Sequence, residues 1–505
     1  MHTTSEARLS TNTAYRCVFA PAHAGPDRTA LVVLGLDGAR QTITFGALDQ
    51  RVRAVAAGLI AQGARPGDRV VVGVADVLDH LTGVFAAMAA GLVAVPLPAA
   101  LSDEERAFRT ADADPAVVLV EPTALRALLS QAPIDAPVAV RAGDPALIVH
   151  TSGTSATPKG VLHAHRALAA RELMRDAWTD IRRDDVVLHA GRLGWTYTLG
   201  VGAIDPWSVG GCAVHVAERP VASAWPELIA RSGATVFAAV PSIYRQILKH
   251  ARVAPGALGR VRHVLSAGET LRSELHQAWR RASGLPIYEA LGMTEVSTYV
   301  STGPGIPARP GSAGKPQPGR IVAVLPRETV GLALEAGDTL GAEWDTTPLG
   351  ADQLGLLAVH RTDPGLMIGY WRRPDEDQKV YRGPWFVGGD LAAMDADGYV
   401  WFHGRDDEVM NAFGHRVSPA EVEAVLARHP TVGEVAVTEL DVREDLSVIA
   451  AFVVPAHGAA VRAEELLAFA AEHLSPFKRP KELRVLDALP RGPNGKLLRR
   501  MLGRG

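Results

Sequence analysis

The chain has 505 residues, of which 47% are hydrophobic and 21% are charged, a composition that excludes a disordered or fibrous protein. The formal net charge of −3 excludes a general positive field for nucleic acid or an anionic membrane surface, so any anion site must be local. The length predicts about two to four domains, each with a buried core.

The N-terminal residues and the cysteine content indicate the cellular compartment. Residues 1–16 lack the basic segment and the apolar run of a secretory signal. Cys17 and Cys212 lie far apart, which argues against a disulfide framework and against a cysteine-ligated zinc site. The most apolar stretch, residues 80–101, is interrupted by glycine and proline, and so favours a buried helix followed by a buried strand. We therefore predict a cytoplasmic protein without membrane insertion.

In its first half the chain alternates apolar runs rich in β-branched residues with helical patterns. This alternation predicts α/β layers with mainly parallel strands. The predicted strands cover residues 69–74, 116–120, 146–150, 186–189, 213–216 and 235–239, and the predicted helices cover residues 45–62, 166–178 and 224–232.

The pattern changes from residue 355 onward. Short strands separated by glycine turns there predict an antiparallel β module. After Gly404, a segment of about a hundred residues is predicted to form a small separate domain. Its predicted helices cover residues 419–428 and 463–473, and its predicted strands cover residues 434–439 and 447–454.

The strongest local motif is HTSGTSATPKGV at residues 150–161, directly after an apolar predicted strand. Its hydroxyls, its backbone N–H groups and one lysine are donors that can surround a polyphosphate. It is not the P-loop NTPase motif, because Lys159 is followed by Gly160 and not by the Ser or Thr that reaches magnesium. The alternative is a flexible polar loop, against which Pro158 argues. The candidate phosphate-binding residues are Thr151, Ser152, Gly153, Thr154, Ser155, Thr157 and Lys159.

This motif resembles the phosphate-loop signature of the adenylate-forming superfamily, which includes acyl-CoA and aryl-CoA synthetases, adenylation domains of peptide synthetases, and luciferases. Other motifs of that family occur in its order and spacing over nearly the whole chain. They are ITFGALDQR (43–51), MAAGLVAVPLPA (88–99), LSAGET (265–270), YEALGMTE (288–295), GLLAVHRTDPGLMIGYW (355–371), WFVGGD (385–390), GRDDEVMNAFGHRVSPAEVE (404–423) and PRGPNGK (490–496). The resemblance implies an α/β fold with a large N-terminal domain of stacked α/β layers plus a β module, residues 1–404, hinged to a small C-terminal α+β domain, residues 405–505.

The resemblance also implies an ATP site with magnesium. Glu295, in GMTE, is the implied magnesium ligand, since a hard cation prefers carboxylate oxygen, and Thr294 is the implied contact to the α-phosphate. Asp390 is implied to accept hydrogen bonds from the ribose hydroxyls. The other implied nucleotide contacts are Arg405 for ribose or phosphate, Arg416 for phosphate, and Ala267, Gly268, Glu269, Leu291 and Gly292 around the adenine.

Two residues depart from the family pattern in this region. Gly388 replaces the usual Thr before the Gly-Asp pair, and Leu291 replaces an aromatic residue. We expect the adenine to rest on an aliphatic wall, with stacking weaker by about 1 kcal/mol, a loss that does not threaten the activity.

The C-terminal region carries the implied catalytic lysine, Lys496 of PRGPNGK. Attack of a carboxylate on the α-phosphate brings two anions together, so a lysine on a mobile domain suits this step. Without the other motifs, Lys496 would be interpreted as part of a solvated basic tail. Asp407 matches the hinge position. Gly414 has no side chain and could let the pantetheine arm of coenzyme A approach the backbone.

The acid is expected to bind between two segments. Trp195, Thr196 and Tyr197 occupy the place where the family builds its acid pocket, although packing is an equal alternative for any one of them. The opposite wall is predicted to consist of Ala290, Ser297, Thr298 and Tyr299. The resemblance is closest to benzoate-type and short- to medium-chain acyl-CoA ligases. An amino acid substrate is disfavoured, because GWTYTLG has no carboxylate to pair with an α-amino group.

The predicted function is therefore an AMP-forming carboxylic acid–CoA ligase that uses ATP, Mg²⁺ and coenzyme A. A carboxylate displaces pyrophosphate to give acyl-AMP, and a thiol then displaces AMP. One alternative is a ligase that loads an acyl carrier protein. Another is a nucleotide-binding sensor without turnover, against which Lys496 argues. A homodimer is left open, and no nucleic-acid partner is predicted.

Overall fold

A computed structural model of the chain describes residues 9–151, 158–327, 345–408, 410–412, 415–443, 446–492 and 497–502. Some of the predicted site residues lie outside the described residues, namely Ser152, Gly153, Thr154, Ser155, Thr157, Gly414 and Lys496. The chain divides into two compact units, Met1–Ile321 with His360–Tyr381 and Val322–Val359 with Arg382–Gly505.

The strands are numbered in chain order. They are β1 (Thr29–Leu34), β2 (Arg40–Thr44), β3 (Arg69–Val72), β4 (Val93–Pro96), β5 (Val117–Leu119), β6 (Pro145–His150), β7 (Gly160–Ala164), β8 (Val186–His189), β9 (Cys212–Val216), β10 (Val236–Ala239), β11 (His263–Ala267), β12 (Ile287–Met293), β13 (Ser297–Ser301), β14 (Lys315–Pro316), β15 (Val322–Leu325), β16 (Gly355–His360), β17 (Gly369–Tyr370), β18 (Tyr381–Arg382), β19 (Trp385–Met394), β20 (Val400–Arg405), β21 (Met410–Ala412), β22 (His415–Val417), β23 (Val432–Arg443), β24 (Leu446–Pro455) and β25 (Glu482–Val485).

The α-helices are numbered in the same way. They are α1 (Ala20–Ala24), α2 (Phe45–Ala61), α3 (Val77–Ala89), α4 (Asp103–Ala113), α5 (Pro122–Leu128), α6 (Ala167–Met174), α7 (Thr196–Leu199), α8 (Asp205–Ser208), α9 (Trp225–Ser232), α10 (Pro241–His250), α11 (Ser273–Ser283), α12 (Pro374–Val380), α13 (Pro419–Leu426) and α14 (Ala463–His473). Short π-helical turns occur at Tyr15–Phe19, Arg175–Thr179 and Gly200–Ile204, and 3₁₀ turns at Ala222–Ala224, Asp406–Glu408, Pro476–Lys478 and Arg499–Met501.

The described part of the first unit contains a nine-stranded sheet in the order β14-β13-β12-β11-β10-β8-β9-β1-β2. The central neighbours from β12 to β1 pair in parallel, and the outer pairs are antiparallel. Strands β10 and β11 are buried throughout, as expected for parallel strands covered by helices. The carboxyl ends of β8, β10, β11 and β12 share one edge of the sheet, the edge at which open α/β sheets bind ligands.

A six-stranded sheet in the same unit has the order β17-β7-β6-β4-β3-β5. Its interior pairs are parallel, whereas β6, β7 and β17 pair antiparallel at one side. Strand β17 comes from the segment that the sequence placed within the β module. It covers the edge of β7, whose backbone N–H and C=O groups would otherwise be unpaired.

Helix α3 shows why the apolar stretch is not a membrane span. All of its residues from Leu78 to Ala89 are buried, and the Asp76 side chain caps its start by accepting from the Asp79 backbone N–H at 2.8 Å. Strand β4 follows and is buried throughout, so the predicted buried helix and strand are confirmed. No helix among the described residues has the length and apolar character that crossing a membrane would require.

The second unit contains the predicted antiparallel β module. Strands β15, β16, β19 and β18 form a sheet in that order, and β20 pairs with β19. The pairs β15–β16 and β19–β20 are antiparallel. Leu325, Leu356 and Trp385 belong to the buried cluster on this sheet.

The C-terminal part of the second unit is a small α+β structure, as predicted. Strands β23 and β24 form a long antiparallel hairpin, and β25 adds in parallel to β24. Val422 of α13 and Leu466 of α14 share a buried cluster with Val437 of the hairpin. The α/β fold with its small α+β domain is thus confirmed, whereas a boundary at residue 404 stays a prediction.

Candidate active site

The phosphate loop joins the two strands of a hairpin. Strands β6 and β7 pair antiparallel up to His150 and Gly160, and the Thr151 backbone N–H donates to the Lys159 carbonyl at 2.8 Å. These bonds bring the two ends of the loop, residues 151 and 159, next to each other. Its two described predicted residues, Thr151 and Lys159, therefore lie side by side.

A partly buried carboxylate, that of Asp112, supports the base of this hairpin. Asp112 pairs with His150 Nε2 at 3.0 Å and accepts a hydrogen bond from Arg373 at 2.5 Å. Burial raises the pKa of Asp112, but the hydrogen bonds from His150 and Arg373 outweigh it and hold the pKa below its usual value. Asp112 thus ties the strand before the phosphate loop to the segment that follows β17.

Lys159 is held on two sides. Its ammonium pairs with Glu376 at 2.5 Å and lies 5.2 Å from the centre of the Tyr370 ring, within cation–π range. Hydrogen bonds from Lys159 and from Lys379 lower the pKa of Glu376 to about 2. Lys159 is therefore positioned at the end of the loop while remaining partly exposed.

The GMTE motif forms the turn between β12 and β13. Gly292 faces Thr298 across the hairpin, and a Cβ at position 292 would lie 2.3 Å from the Ser297 carbonyl oxygen. Ser297 itself has a φ of 72°, in the left-handed region. This tight turn presents Thr294 and Glu295 beyond the carboxyl end of β12.

Glu295 and Thr294 are each fixed by a side chain from another segment. The Tyr370 hydroxyl donates to Glu295 Oε1 at 2.9 Å. His163 Nε2 donates to the Thr294 carbonyl at 2.8 Å, and burial lowers the pKa of His163 to about 4, so this ring is neutral. The structure thus brings Lys159, Thr294 and Glu295 together through Tyr370 and His163.

The segment predicted to surround the adenine, residues 267–269, begins at the last residue of β11, at the same sheet edge. Ala267 pairs with Ala290 of β12, and Gly268 has a φ of 90°, which favours glycine. The Glu269 carboxylate accepts from the Ser242 backbone N–H at 3.2 Å and from its hydroxyl at 3.1 Å. Leu291 is partly exposed beside these residues on β12.

Tyr197, one of the predicted acid-pocket residues, lies in helix α7, which begins at Thr196 directly after Trp195. Its ring stacks on Trp178 at 6.0 Å and meets His189 edge-on at 4.4 Å. It packs against a buried cluster that includes Ala267 and Ala290. Two of the predicted acid-pocket residues, Tyr197 and Ala290, are therefore brought together.

A buried ion pair lies behind the predicted opposite wall. Arg171 forms two hydrogen bonds to Asp205, one of them at 2.7 Å, and a third at 3.2 Å to the Ser297 hydroxyl. Burial raises the pKa of Asp205, and the charge of Arg171 opposes this effect. Gly200 makes room for the guanidinium, since a Cβ there would lie 2.2 Å from Arg171 Nη2. Thr298 donates to Met174 Sδ nearby.

His189 ends β8 beside Tyr197. Its Nδ1 accepts from the Gly191 backbone N–H at 2.9 Å, and burial lowers its pKa to about 3. The ring is therefore neutral and carries its proton on Nε2. Among the described residues, Nε2 has no hydrogen-bond partner.

The predicted ribose residues meet in the second unit. Asp390 and Arg405 are paired across β19 and β20, with 3.2 Å between Arg405 Nη1 and Asp390 Oδ1. Arg405 also donates to the Gly388 carbonyl at 2.6 Å, a contact that any residue at position 388 could supply. The departure from the family pattern at Gly388 therefore leaves this contact intact.

The C-terminal segment is anchored near the predicted hinge. Asp407 lies in the 3₁₀ turn Asp406–Glu408, and Arg416 lies on β22. Arg499 donates to Glu408 at 3.2 Å and to the Val437 carbonyl at 2.8 Å. An isolated antiparallel bridge pairs Arg491 with Leu497.

Sequence reasoning missed several residues of the site. Tyr370 lies within the motif GLLAVHRTDPGLMIGYW, and its aromatic side chain was the one feature that could have marked it as a site residue. Arg171, Asp205 and His189 had no local signal, because only the fold brings them to the GMTE turn and to Tyr197. Glu289 was also missed, although burial raises its pKa to about 8 and the Leu271 backbone N–H donates to it at 2.8 Å.

Within the described ranges, no group of three His, Cys, Asp or Glu side chains is placed to hold an ion. Magnesium that binds with nucleotide needs only one or two protein carboxylates in addition to the phosphates. The single carboxylate of Glu295 fits that requirement.

Comparison with known proteins identifies the family. The AMP-binding enzyme family matches residues 18–338, and the AMP-binding enzyme C-terminal domain matches residues 421–496. Benzoate–CoA ligase of Thauera aromatica is 30% identical over 470 residues, which cover 86% of each chain. The match to acetyl-coenzyme A synthetase of Bacillus subtilis is 31% identical and spans 70% of this chain and 60% of that protein.

A solved structure of a similar enzyme agrees with the sequence matches. The o-succinylbenzoate-CoA synthetase of Bacillus subtilis, in complex with its acyl-adenylate intermediate, has a TM-score of 0.80 and 25% identity, with 96% of this chain and 97% of that chain covered. The predicted resemblance and the predicted enzyme class are confirmed by these matches. The chain belongs to the AMP-binding enzyme family, as an AMP-forming acid–thiol ligase.

Proposed function

We propose that the chain joins an aromatic carboxylic acid, with no charged group besides its carboxylate, to the thiol of coenzyme A at the expense of ATP. The carboxylate displaces pyrophosphate to give acyl-AMP, and the thiolate then displaces AMP to give the thioester. Short- and medium-chain acids are the alternative substrates within the same class. Family membership and a benzoate–CoA ligase among the relatives support the proposal.

The proposal of an aromatic acid rests on the aromatic and uncharged side chains around Tyr197. Trp178 and the neutral ring of His189 both contact Tyr197. The buried cation on this side, Arg171, already pairs with Asp205. An acid with a second carboxylate would therefore gain little here, whereas a flat apolar ring would find aromatic partners.

The ATP site is proposed to consist of the residues that the family motifs identify. Lys159 and Thr151 of the phosphate loop and Thr294 would contact the phosphates, and Glu295 would hold Mg²⁺. When bound, Mg²⁺ supplies charge neutralisation for the triphosphate. The remaining proposed nucleotide contacts are Asp390 and Arg405 for ribose, Arg416 for phosphate, and residues 267–269 with Leu291 and Gly292 for adenine.

The two half-reactions are proposed to use two positions of residues 405–505, which rotate about Asp407. Lys496 would face the α-phosphate in the first position, and Gly414 would face the thiol in the second. In this proposal, adenylation takes place in the first position and thioester formation in the second.

We further propose that the enzyme works in the cytoplasm with free coenzyme A as acceptor. Cys17 and Cys212 are both free thiols, and burial raises the pKa of each, so neither is a reactive thiolate. Activity assays with coenzyme A and with a pantetheinylated carrier protein decide which of these two molecules is the acyl acceptor. Light scattering of the purified protein decides whether it is a homodimer.

The proposed function is tested by carboxylate-dependent pyrophosphate release. The screen covers benzoates, short straight and branched acids, and phenylpropenoic acids, each with and without coenzyme A. We expect the highest kcat/KM with a benzoate-type acid whose ring carries no second charged group. A preference for dicarboxylic acids would contradict the proposed substrate class.

Replacing Glu295 with glutamine is expected to raise the Mg²⁺ concentration for half-maximal pyrophosphate release by at least about tenfold, because the amide is a poor ligand for a hard cation. The measurement is a Mg²⁺ titration at saturating ATP. Glu274→Gln, on the exposed face of α11, is the matched control and should behave like the wild type. An unchanged Mg²⁺ requirement in Glu295→Gln would remove that residue from the metal site.

Replacing Tyr197 with alanine is expected to change the order of preferred acids more than the KM for ATP, because the proposed role of the ring is to line the acid pocket. The measurement is kcat/KM for a panel of acids, together with the KM for ATP. Tyr197→Phe keeps the ring and should keep the wild-type preference. Equal losses for every acid in Tyr197→Ala would indicate a packing role instead.

A further inference from the structure

Tyr370 is fastened to the strand that follows the phosphate loop. Strand β17 pairs antiparallel with β7, with Tyr370 opposite Val161, and the Trp371 backbone N–H donates to the Gly160 carbonyl at 2.7 Å. The Tyr370 side chain is buried, with 8% of the residue exposed. Its ring therefore has a fixed position relative to the end of the loop.

The same side chain touches two residues that lie far apart in sequence. The ring face lies 5.2 Å from Lys159 Nζ, and the hydroxyl donates to Glu295 Oε1 at 2.9 Å. The segment before β17 also holds the backbone of the GMTE turn, because the Met367 N–H donates to the Glu295 carbonyl at 2.8 Å. Tyr370 is thus the physical link between the phosphate-loop lysine and the GMTE carboxylate.

We propose that Tyr370 is a positioning residue for MgATP, which holds the Glu295 carboxylate through its hydroxyl and the Lys159 ammonium through its ring. The inference rests on the proposed function, in which these two residues bind Mg²⁺ and phosphate. A carboxylate has about four lone-pair sites, so one hydrogen bond fixes its rotamer and leaves sites for a cation. Groups that orient a metal ligand in this way commonly change metal affinity by about 10- to 100-fold when removed.

The ring and the hydroxyl have separable effects. Tyr370→Phe keeps the ring beneath Lys159 and removes the hydroxyl that donates to Glu295. Tyr370→Leu removes both. The phenylalanine variant should therefore weaken only the binding that depends on Mg²⁺, and the leucine variant should also weaken the binding of ATP without metal.

The test is calorimetric titration of ATP into the full-length protein, once with Mg²⁺ and once with EDTA. Tyr370→Phe should raise the Kd for ATP by about tenfold in Mg²⁺ and by less than about twofold in EDTA. Tyr370→Leu should additionally raise the Kd in EDTA by about two- to fivefold, the loss expected for a cation–π contact. Tyr381→Phe is the matched control, since its ring contacts Arg361 and not Lys159, and both of its Kd values should equal those of the wild type.

Either of two results with Tyr370→Phe would overturn the inference. The first is a Tyr370→Phe variant with wild-type Kd values in both conditions. The second is a loss of equal size in Mg²⁺ and in EDTA, accompanied by a lower melting temperature, which indicates a merely structural role. Failure of the proposed function is separate, since it would appear as a wild-type protein that releases no pyrophosphate with any acid. In that case, the EDTA titration of Tyr370→Leu still decides whether the ring holds Lys159, and an unchanged Kd would overturn the inference.

Discussion

Replacing Lys496 with alanine is expected to slow the formation of acyl-AMP by at least about 10²- to 10³-fold, the loss typical of a donor that stabilises a transition state. The carboxylate and the α-phosphate are both anionic, and the proposed role of Lys496 is to offset their repulsion as the new bond forms. Thioester formation from supplied acyl-AMP has no such repulsion, so it should proceed at close to the wild-type rate.

The two half-reactions are measured separately, by pyrophosphate release and by the consumption of synthetic acyl-AMP by coenzyme A. Lys481→Ala, at an exposed position in the same part of the chain, is the matched control and should leave both rates unchanged. Asp407→Pro and a bulky residue at Gly414 should show the opposite pattern, with acyl-AMP formed but turned over slowly. Equal losses in both half-reactions of Lys496→Ala would contradict the proposed division between the two domain positions.

Replacing Arg320 with alanine is expected to lower the free energy of unfolding of the first unit by about 3–5 kcal/mol, because it leaves a buried carboxylate without its cation. Arg320 and Asp363 are 0% and 1% exposed, and their charged atoms are 2.6 Å apart. Arg320 also donates to the Thr298 carbonyl at 3.0 Å, which anchors the strand after the GMTE turn. The change should therefore reduce adenylation as well as stability.

Chemical denaturation monitored by tryptophan fluorescence measures this effect. Arg182→Ala removes an exposed partner of Asp180 and is the control, with an expected change of about 0–1 kcal/mol. The double replacement Arg320→Met with Asp363→Leu should be less destabilising than Arg320→Ala, since no charge is left unpaired. Equal denaturation midpoints for Arg320→Ala and Arg182→Ala would show that the buried pair contributes nothing to stability.

Much of the fold could be predicted from local pattern. The strand predicted at residues 186–189 and the helix predicted at 463–473 match β8 and α14 in both limits. Helix α2 was predicted to within one residue. In the structure, its start is capped by Thr44, whose side chain accepts from the Ala47 backbone N–H. Apolar periodicity and caps are local properties, so one sequence is enough to detect them.

Other features were not predictable because they depend on contacts between distant segments. The helix predicted at residues 166–178 changes after Met174 into the π-helical turn Arg175–Thr179, and no residue in that stretch signals the change. The predicted strand 434–439 is the middle of the longer β23, whose ends are stabilised by pairing with β24. The partition of GLLAVHRTDPGLMIGYW between two sheets likewise depends on the unpaired edge of β7.

The candidate site divides in the same way. Lys159, Glu295 and Asp390 were identified by motif, but their partners Glu376, Tyr370 and Arg405 lie elsewhere in the chain. Of these, only Arg405 was expected in the site. The contacts of Lys159 could not be inferred from motif spacing. They form because β17 joins the sheet beside β7, and the sequence of β17 does not indicate which sheet it joins.

The close fit between Gly200 and Arg171 restricts which substitutions these two positions can accept during evolution. Any side chain at position 200 would collide with a guanidinium that Asp205 and Ser297 hold in place, so the glycine must persist while the arginine does. If Arg171 were lost first, the buried Asp205 would be left without its cation. A single change at Gly200 or at Arg171 is therefore damaging by itself, and we expect descendants of this sequence to retain Gly200, Arg171 and Asp205 or to exchange these three residues as a set.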